Sequence, residues 1–307
     1  MNLSKKNKFL KKWILVSVAL SIMNPNALDA ARAAEKKINV PPLIQYKTFN
    51  YLKHGDRSTE IGVAIAKRHL DSEKLLPVVV FIHGGGWRNG DKHQSAWQCF
   101  EYAKRGYIGI TISYRLIDEA PFPQCIEDVK TAMRFIKSLS SEYPINTENI
   151  GVWGYSAGAH LALMIGLDTD PKSFDSGLYH EFDSSVKCVA AIAAPTYLSN
   201  MSRGRNGILS SEQEADNRFK DKISPITYIN EDQVPILMIH GSKDKIVPPW
   251  HYQTFAKSCN ELDIINYELV EAVDCDHMFY FKEWEYQKKA HQYFAKMLKN
   301  EQKMSKK

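Results

Sequence analysis

The sequence predicts an α/β protein with a mostly parallel central sheet flanked by helices on both faces. Two features carry this: from Tyr46 onward short apolar runs alternate with amphipathic stretches, and several runs are too evenly apolar to be strands wet on one side. The run 78–82, Val-Val-Val-Phe-Ile, reads as a strand covered on both faces, as do 108–112, 150–153, 186–194 and 236–239. Ile61, Val63 and Ile65 alternate as a half-buried early strand, and 264–270 reads as a late one. Between the strands, Ile126, Val129, Met133, Phe135, Ile136 and Leu139 recur at mostly helical spacing after Pro123. Residues 159–167, 251–259 and about 282–299 also read as helices. The polar, weakly periodic segments 168–185 and 199–221 leave the carboxyl ends of strands, where open parallel sheets bind ligands, so they are candidate walls of a cleft.

With 307 residues, 44% hydrophobic and 24% charged, the chain can bury one large core and is too apolar to be disordered. Its formal charge of +5 sits at the start: residues 1–33 hold six of the 40 basic side chains and one of the 35 acidic ones, leaving 34 of each. A neutral remainder argues against an electrostatic nucleic-acid binder. Residues 1–33 have the three parts of an export signal: lysines 5, 6, 8, 11 and 12, the apolar run 13–23, and Ala31-Arg32-Ala33 as a small-x-small cleavage site. Eleven apolar residues rise only about 16 Å as a helix, roughly half the hydrocarbon thickness, so no stable membrane anchor is expected. The expected organisation is therefore a signal peptide, 1–33, and a single catalytic domain, 34–307, secreted or periplasmic. Cys99, Cys125, Cys188, Cys259 and Cys275 are an odd number, so at least one thiol is unpaired. They show no metal-ligand spacing, their pairing is not legible, and Cys188 reads as a small core residue.

Gly154-Tyr155-Ser156-Ala157-Gly158 lies between the 150–153 strand and the helix that follows, the setting a nucleophile elbow requires. Such a turn lifts the serine hydroxyl clear of the backbone and aims the next N–H, that of Ala157, at a developing oxyanion. His83-Gly84-Gly85-Gly86-Trp87 ends the 78–82 strand, and glycines there let backbone N–H groups reach a substrate oxygen unobstructed. Gly84 and Gly85 are the expected donors, with His83 a hydrogen-bonding brace for the loop. A serine at its ordinary pKa needs a base, and the base needs an orienting acid. Asp244 follows the 236–239 run and His277 follows the 264–270 run, giving the chain order serine, acid, histidine. Asp274 and Asp276 compete with Asp244 as the acid, but adjacent side chains on a short loop rarely meet their neighbour's imidazole correctly. His160, one helical turn past Ser156, reads as structural, and His240 as packed.

These motifs, with Asn89-Gly-Asp91, Ser113-Tyr-Arg-Leu116, Ala120-Pro-Phe-Pro123, Glu127-Asp128, Ser224-Pro-Ile226 and His240-Gly-Ser-Lys-Asp244, resemble those of α/β-hydrolases of the esterase/lipase superfamily. The resemblance is to secreted carbohydrate-esterase-like members and to the hormone-sensitive-lipase group, and covers nearly all of the chain after residue 33. It implies an α/β-hydrolase fold and carboxylesterase activity through an acyl-enzyme, with Ser156 as nucleophile, Asp244 as acid and His277 as base. It also implies an oxyanion hole from the Gly84–Gly86 loop and Ala157, and no cofactor or metal. Residues 34–76 read as strands and turns, so little or no cap domain is expected, and the implied substrates are small-molecule or polysaccharide-borne esters, acetyl or feruloyl among them. Where relatives approach the histidine through small, glycine-rich residues, this chain has Val273-Asp-Cys-Asp276. By their motif positions Trp87, Tyr155 and Trp250 are candidate cleft aromatics, with ordinary packing the alternative for Trp250. Two other readings stay open: a kynurenine-formamidase-like amide hydrolase, and a hydrolase fold that binds without catalysing.

Overall fold

The structure is a computed structural model that describes residues 38–54, 57–170, 172–198 and 208–299. The signal-peptide expectation for 1–33 falls outside these residues. Eight strands form one sheet: β1 (Ile44–His54), β2 (Arg57–Ala66), β3 (Leu76–Ile82), β4 (Ile108–Ile112), β5 (Ile145–Tyr155), β6 (Cys188–Ile192), β7 (Ile236–Gly241) and β8 (Tyr267–Ala272). They lie in the order β1-β2-β4-β3-β5-β6-β7-β8. β2 runs antiparallel to β1 and β4, and every other pairing is parallel.

The helices are α1 (Ala96–Lys104), α2 (Gln124–Ser138), α3 (Ala157–Leu167), α4 (Ser211–Ala215), α5 (Asn217–Lys222), α6 (Trp250–Glu261), α7 (Phe279–Lys282) and α8 (Trp284–Lys299). Alternation along each strand sorts the core into two layers. In β3, Val78, Val80 and Ile82 join α2, α3 and α6 on one face, while Val79 and Phe81 join α1 and α8 on the other. α3 is buried along its whole length because Leu161, Leu163, Met164 and Ile165 meet the sheet on one side and neighbouring helices on the other.

Three expectations are corrected. β2 is covered on both faces: Ile61, Val63 and Ile65 enter one layer and Ala64 the other, small residues filling the side where large ones would not fit. α1 has no counterpart in the sequence reading, because its buried face is built from Ala96, Cys99, Phe100, Tyr102 and Ala103 rather than from an aliphatic stripe. In the 199–221 segment, α4 carries a capping box between Ser210 and Gln213, and Asp216 caps α5. Local capping hydrogen bonds, not apolar periodicity, form these two helices. Cys99, Cys125, Cys188 and Cys259 are buried, and all five cysteines are free thiols.

The 168–185 segment follows α3 and leads into the start of β6, so it does not leave the carboxyl end of a strand as expected; it is tied to α2 by three basic side chains placed at i, i+4 and i+7. Lys130 Nζ donates to Asp168 Oδ2 at 3.0 Å and to the carbonyls of Asp170 and Ser173. Arg134 bonds Asp175 and the Leu178 carbonyl, and Lys137 bonds Asp183 and Ser185. The Lys130–Asp168 pair is almost wholly shielded from water. Replacing Lys130 with Met leaves a buried carboxylate without its counter-charge and should cost about 3–5 kcal/mol of unfolding free energy, read from urea midpoints. The double variant K130M/D168L should recover most of that loss; if it is as unstable as K130M, the pair is not what holds the segment.

Candidate active site

Ser156 sits at the junction of β5 and α3 with φ 54° and ψ −121°, a left-handed conformation that costs a non-glycine residue about 1–3 kcal/mol. The fold offsets this by gripping the backbone: Ser156 N–H donates to the Ile192 carbonyl at 2.8 Å, and the Ser156 carbonyl accepts from Ala159 and His160. At Gly158 a side chain would overlap the Ile82 carbonyl, so only glycine lets α3 start this close to β3.

The imidazole of His277 bridges Ser156 and Asp244. Its Nδ1–H donates to Asp244 Oδ2 at 2.6 Å, and its Nε2 accepts from the Ser156 hydroxyl at 3.1 Å. A carboxylate can only accept, so the proton stays on Nδ1 and Nε2 is left bare to take the serine proton. Asp244 is itself held: Oδ1 accepts from the N–H groups of Ile246 and Val247 at 2.8 and 2.9 Å. Ser156 is 8% and His277 5% exposed, enough contact with solvent for a small group to reach the hydroxyl and little enough to keep the hydrogen bonds from being screened.

The competing acids are occupied elsewhere. Asp274 pairs with Lys243, and Asp276 pairs with Lys282 and accepts the Met278 N–H. The Val273–Asp276 departure forms a turn stitched to the acid's own loop, since the Lys243 N–H donates to the Cys275 carbonyl and the Asp274 N–H to Ser242 Oγ. That stitching delivers His277 to Asp244.

Beside the serine, no acceptor among the described residues takes the N–H of Gly84, Gly85, Gly86 or Ala157. Gly85 lies at φ +117°, where a side chain would overlap the Asn89 carbonyl, and that carbonyl's approach closes the loop. His83 braces it as expected: Nδ1–H donates to the Gly84 carbonyl at 2.8 Å, and the ring stacks on Tyr114 at 4.3 Å. The result is a set of free donors at the start of a helix, suited to a developing negative oxygen.

Two expectations about substrate contacts are corrected. Trp87 is only 2% exposed, with its ring against Phe122 and its indole N–H donated to His160 Nδ1, because a buried indole must find an acceptor. Tyr155 is buried too: its hydroxyl donates to the His277 carbonyl at 2.8 Å, and its ring packs on Phe281. Neither offers a free face; Tyr155 instead holds the backbone of His277. Trp250 is half-buried and stacks on His251 at 3.7 Å. His160 and His240 are packed, with Nε2–H bonds to the carbonyls of Ile223 and Val247.

Sequence reasoning missed His251, whose Nδ1 accepts the Thr196 N–H and whose carbonyl accepts the Thr196 hydroxyl, fixing the strand end beyond β6. It also left Arg115 and Asp128 as bare motif letters. Asp128 is buried and accepts from the Arg115 backbone N–H and from its guanidinium, so the pair clamps the chain after β4 to α2. No group of three His, Cys, Asp or Glu among the described residues converges as metal ligands.

The sheet order, the elbow and the succession serine, acid, histidine define an α/β-hydrolase fold. A sequence model of the BD-FAE family matches residues 65–258, and the chain belongs to that family. It is similar to the probable carboxylic ester hydrolase LipM of Mycobacterium tuberculosis, 29% identical over 193 residues that make up 58% of this chain and 44% of LipM. It is also similar to esterase LipC of the same organism, 25% identical over 270 residues, 82% of this chain and 66% of LipC. The chain spans about half the length of the curated relatives it matches. Among solved structures, a truncated carbohydrate esterase from gut microbiota superposes with a TM-score of 0.68 at 22% identity, over 82% of this chain and 96% of that one. A bifunctional GH43-CE protein of Bacteroides eggerthii gives 0.69 at 26% identity, over 81% of this chain and 38% of that one.

Burial holds several of these imidazoles neutral. It lowers His83 and His240 below the ordinary histidine value, His160 to about 4 and His251 to about 3. The unfolded chain binds protons at these positions from about pH 6.5 downward while the folded chain does not, so stability is fully present above that pH and is lost as pH falls. His160 and His251, lowered well below that window, each contribute a slope that approaches about 1.4 kcal/mol per pH unit below pH 6.5. Urea midpoints should therefore drop steadily from pH 7 to pH 5; a flat profile would contradict the neutral buried rings.

Proposed function

We propose that the chain is a secreted serine carboxylesterase that cleaves esters through an acyl-enzyme at Ser156. The observation that carries this reading is the unbroken relay from Ser156 Oγ through His277 to Asp244, set beside unpaired backbone N–H groups. Its substrates are esters borne on carbohydrate, acetyl or feruloyl groups among them, or small acyl esters. The similarity to carboxylic ester hydrolases and to carbohydrate-esterase structures supports this, as does BD-FAE membership. The lysine-rich start, the apolar run 13–23 and Ala31-Arg32-Ala33 support export, with Ala34 beginning the mature chain.

In the reaction, the serine oxygen attacks the ester carbonyl while His277 Nε2 takes its proton. Asp244 stabilises the imidazolium, and the free N–H groups of the glycine loop and of Ala157 hold the negative oxygen. His277 then returns the proton to the departing alkoxide. Water, deprotonated by the same nitrogen, releases the acid and restores the serine.

Hydrolysis of 4-nitrophenyl acetate tests the chemistry: Ser156→Ala and Asp244→Asn should each lower kcat by about 10³-fold or more with the fold intact. Equal rates in wild type and Ser156→Ala would defeat the assignment. Acetylated xylan, feruloylated oligosaccharide and short-chain 4-nitrophenyl esters, compared side by side, separate the substrate classes. Activity on the small esters alone would remove the carbohydrate reading. A mature protein whose mass begins at Met1 after passage through an exporting host would remove the export reading.

A further inference from the structure

The glycine loop ends in a conformation that its sequence does not favour. Gly85, Gly86 and Trp87 have successive positive φ values of 117°, 61° and 58°, and the last belongs to a bulky aromatic residue with no intrinsic tolerance for it. Something outside the loop must hold Trp87 there. Its carbonyl accepts the Ile117 N–H at 2.9 Å, and its indole N–H donates to His160 Nδ1 at 3.3 Å.

His160 is unusual in what it joins. It sits in the first turn of α3, where its own N–H donates to the Ser156 carbonyl at 3.1 Å. Its ring is fully buried, and Nε2 bonds the Ile223 carbonyl, at the end of α5, at 2.7 Å. Both ring partners are one-way groups: a carbonyl only accepts and an indole N–H only donates. The tautomer is thereby fixed, with the proton on Nε2 and a bare Nδ1 facing Trp87. Because burial lowers this imidazole to about 4, Nδ1 remains an acceptor throughout the neutral range. The side chain therefore ties the end of the donor loop to the segment after α5, and the residue's own backbone N–H sits one helical turn past the Ser156 carbonyl that it holds.

We propose that His160 is a positioning residue for the oxyanion site: through the Trp87 indole it registers the Gly84–Gly86 donors against the Ser156 oxygen. The proposal rests on the serine-hydrolase reading. A core histidine of purely structural value would affect stability alone. A registering one affects the step in which the oxyanion forms.

The test compares wild type with W87F, which removes the indole N–H, with H160F, which removes the acceptor, and with H160N, whose side-chain oxygen keeps an acceptor near Nδ1. Folding is checked by calorimetry. W87F and H160F should each lower kcat on 4-nitrophenyl acetate roughly 10- to 100-fold, with KM within about twofold, because misplaced donors act on the transition state only. Affinity for a trifluoromethyl ketone, which forms a tetrahedral adduct, should fall by a similar factor, and the acid limb of the pH–rate profile should not move. The double variant W87F/H160F should lose no more than either single one, the mark of a shared interaction. H160N should recover most of the rate.

Folded W87F with wild-type kcat, losses that multiply in the double variant, or an effect on KM alone would overturn the proposal. If neither W87F nor H160F folds, a crystal structure of wild type with phenylboronic acid decides. A boronate oxygen bonded to the loop N–H groups with the Trp87–His160 bond intact supports the proposal, and a broken bond with the oxygen still held overturns it. A wild type without esterase activity would instead defeat the serine-hydrolase reading, and this proposal with it.

Discussion

A serine held at φ 54° keeps that shape only while everything around it is fixed, and the architecture can be read as the set of contacts that fix it. β5 delivers the residue and β6 accepts its N–H through Ile192, while α3 begins at once because glycine follows two positions later. The strain aims the hydroxyl out of the sheet end, and the same sharp turn leaves the Ala157 N–H without a partner. The raised Ser156 hydroxyl and the free Ala157 N–H are thus two products of one backbone constraint.

The polar groups behind the site obey one-way hydrogen bonding almost throughout. Asp244 accepts from two backbone N–H groups and from His277, which sets the tautomer of that ring. His83 and His160 are likewise fixed by carbonyls that can only accept, and His251 accepts a backbone N–H. Burial keeps these rings neutral, so each acts as a directional strut and not as a charge. Tyr155 extends the scheme by holding the carbonyl of His277 itself. The supporting shell decides how far apart the reacting groups lie, and a shift of an ångström there would matter as much as a lost side chain.

Much of this was legible in the residues because parts of the site are locally encoded. The glycines around Ser156 announce the elbow, the triple glycine announces the loop, and the uniformly apolar runs give the parallel strands. What was hidden depends on partners distant in the chain. Trp87 looked like a cleft aromatic because nothing in its neighbourhood reveals that His160, 73 residues on, waits for its N–H. Tyr155 misled for the same reason: its hydroxyl finds the His277 carbonyl 122 residues away. β2 looked half-buried since alternation of large and small residues resembles alternation of apolar and polar ones until the second layer of core is seen. α1 escaped because its buried face mixes aromatic residues, alanine and cysteine.

The chemistry proposed for this site requires Ser156 to be a nucleophile made reactive by its neighbours. Treating the folded protein with a fluorophosphonate and mapping the adduct by peptide mass spectrometry asks this directly. One phosphonyl group per chain on Ser156, acquired in step with loss of esterase activity and much more slowly in His277→Ala, is the predicted result. No adduct in well-folded protein, or an adduct on another residue with Ser156 untouched, would contradict it.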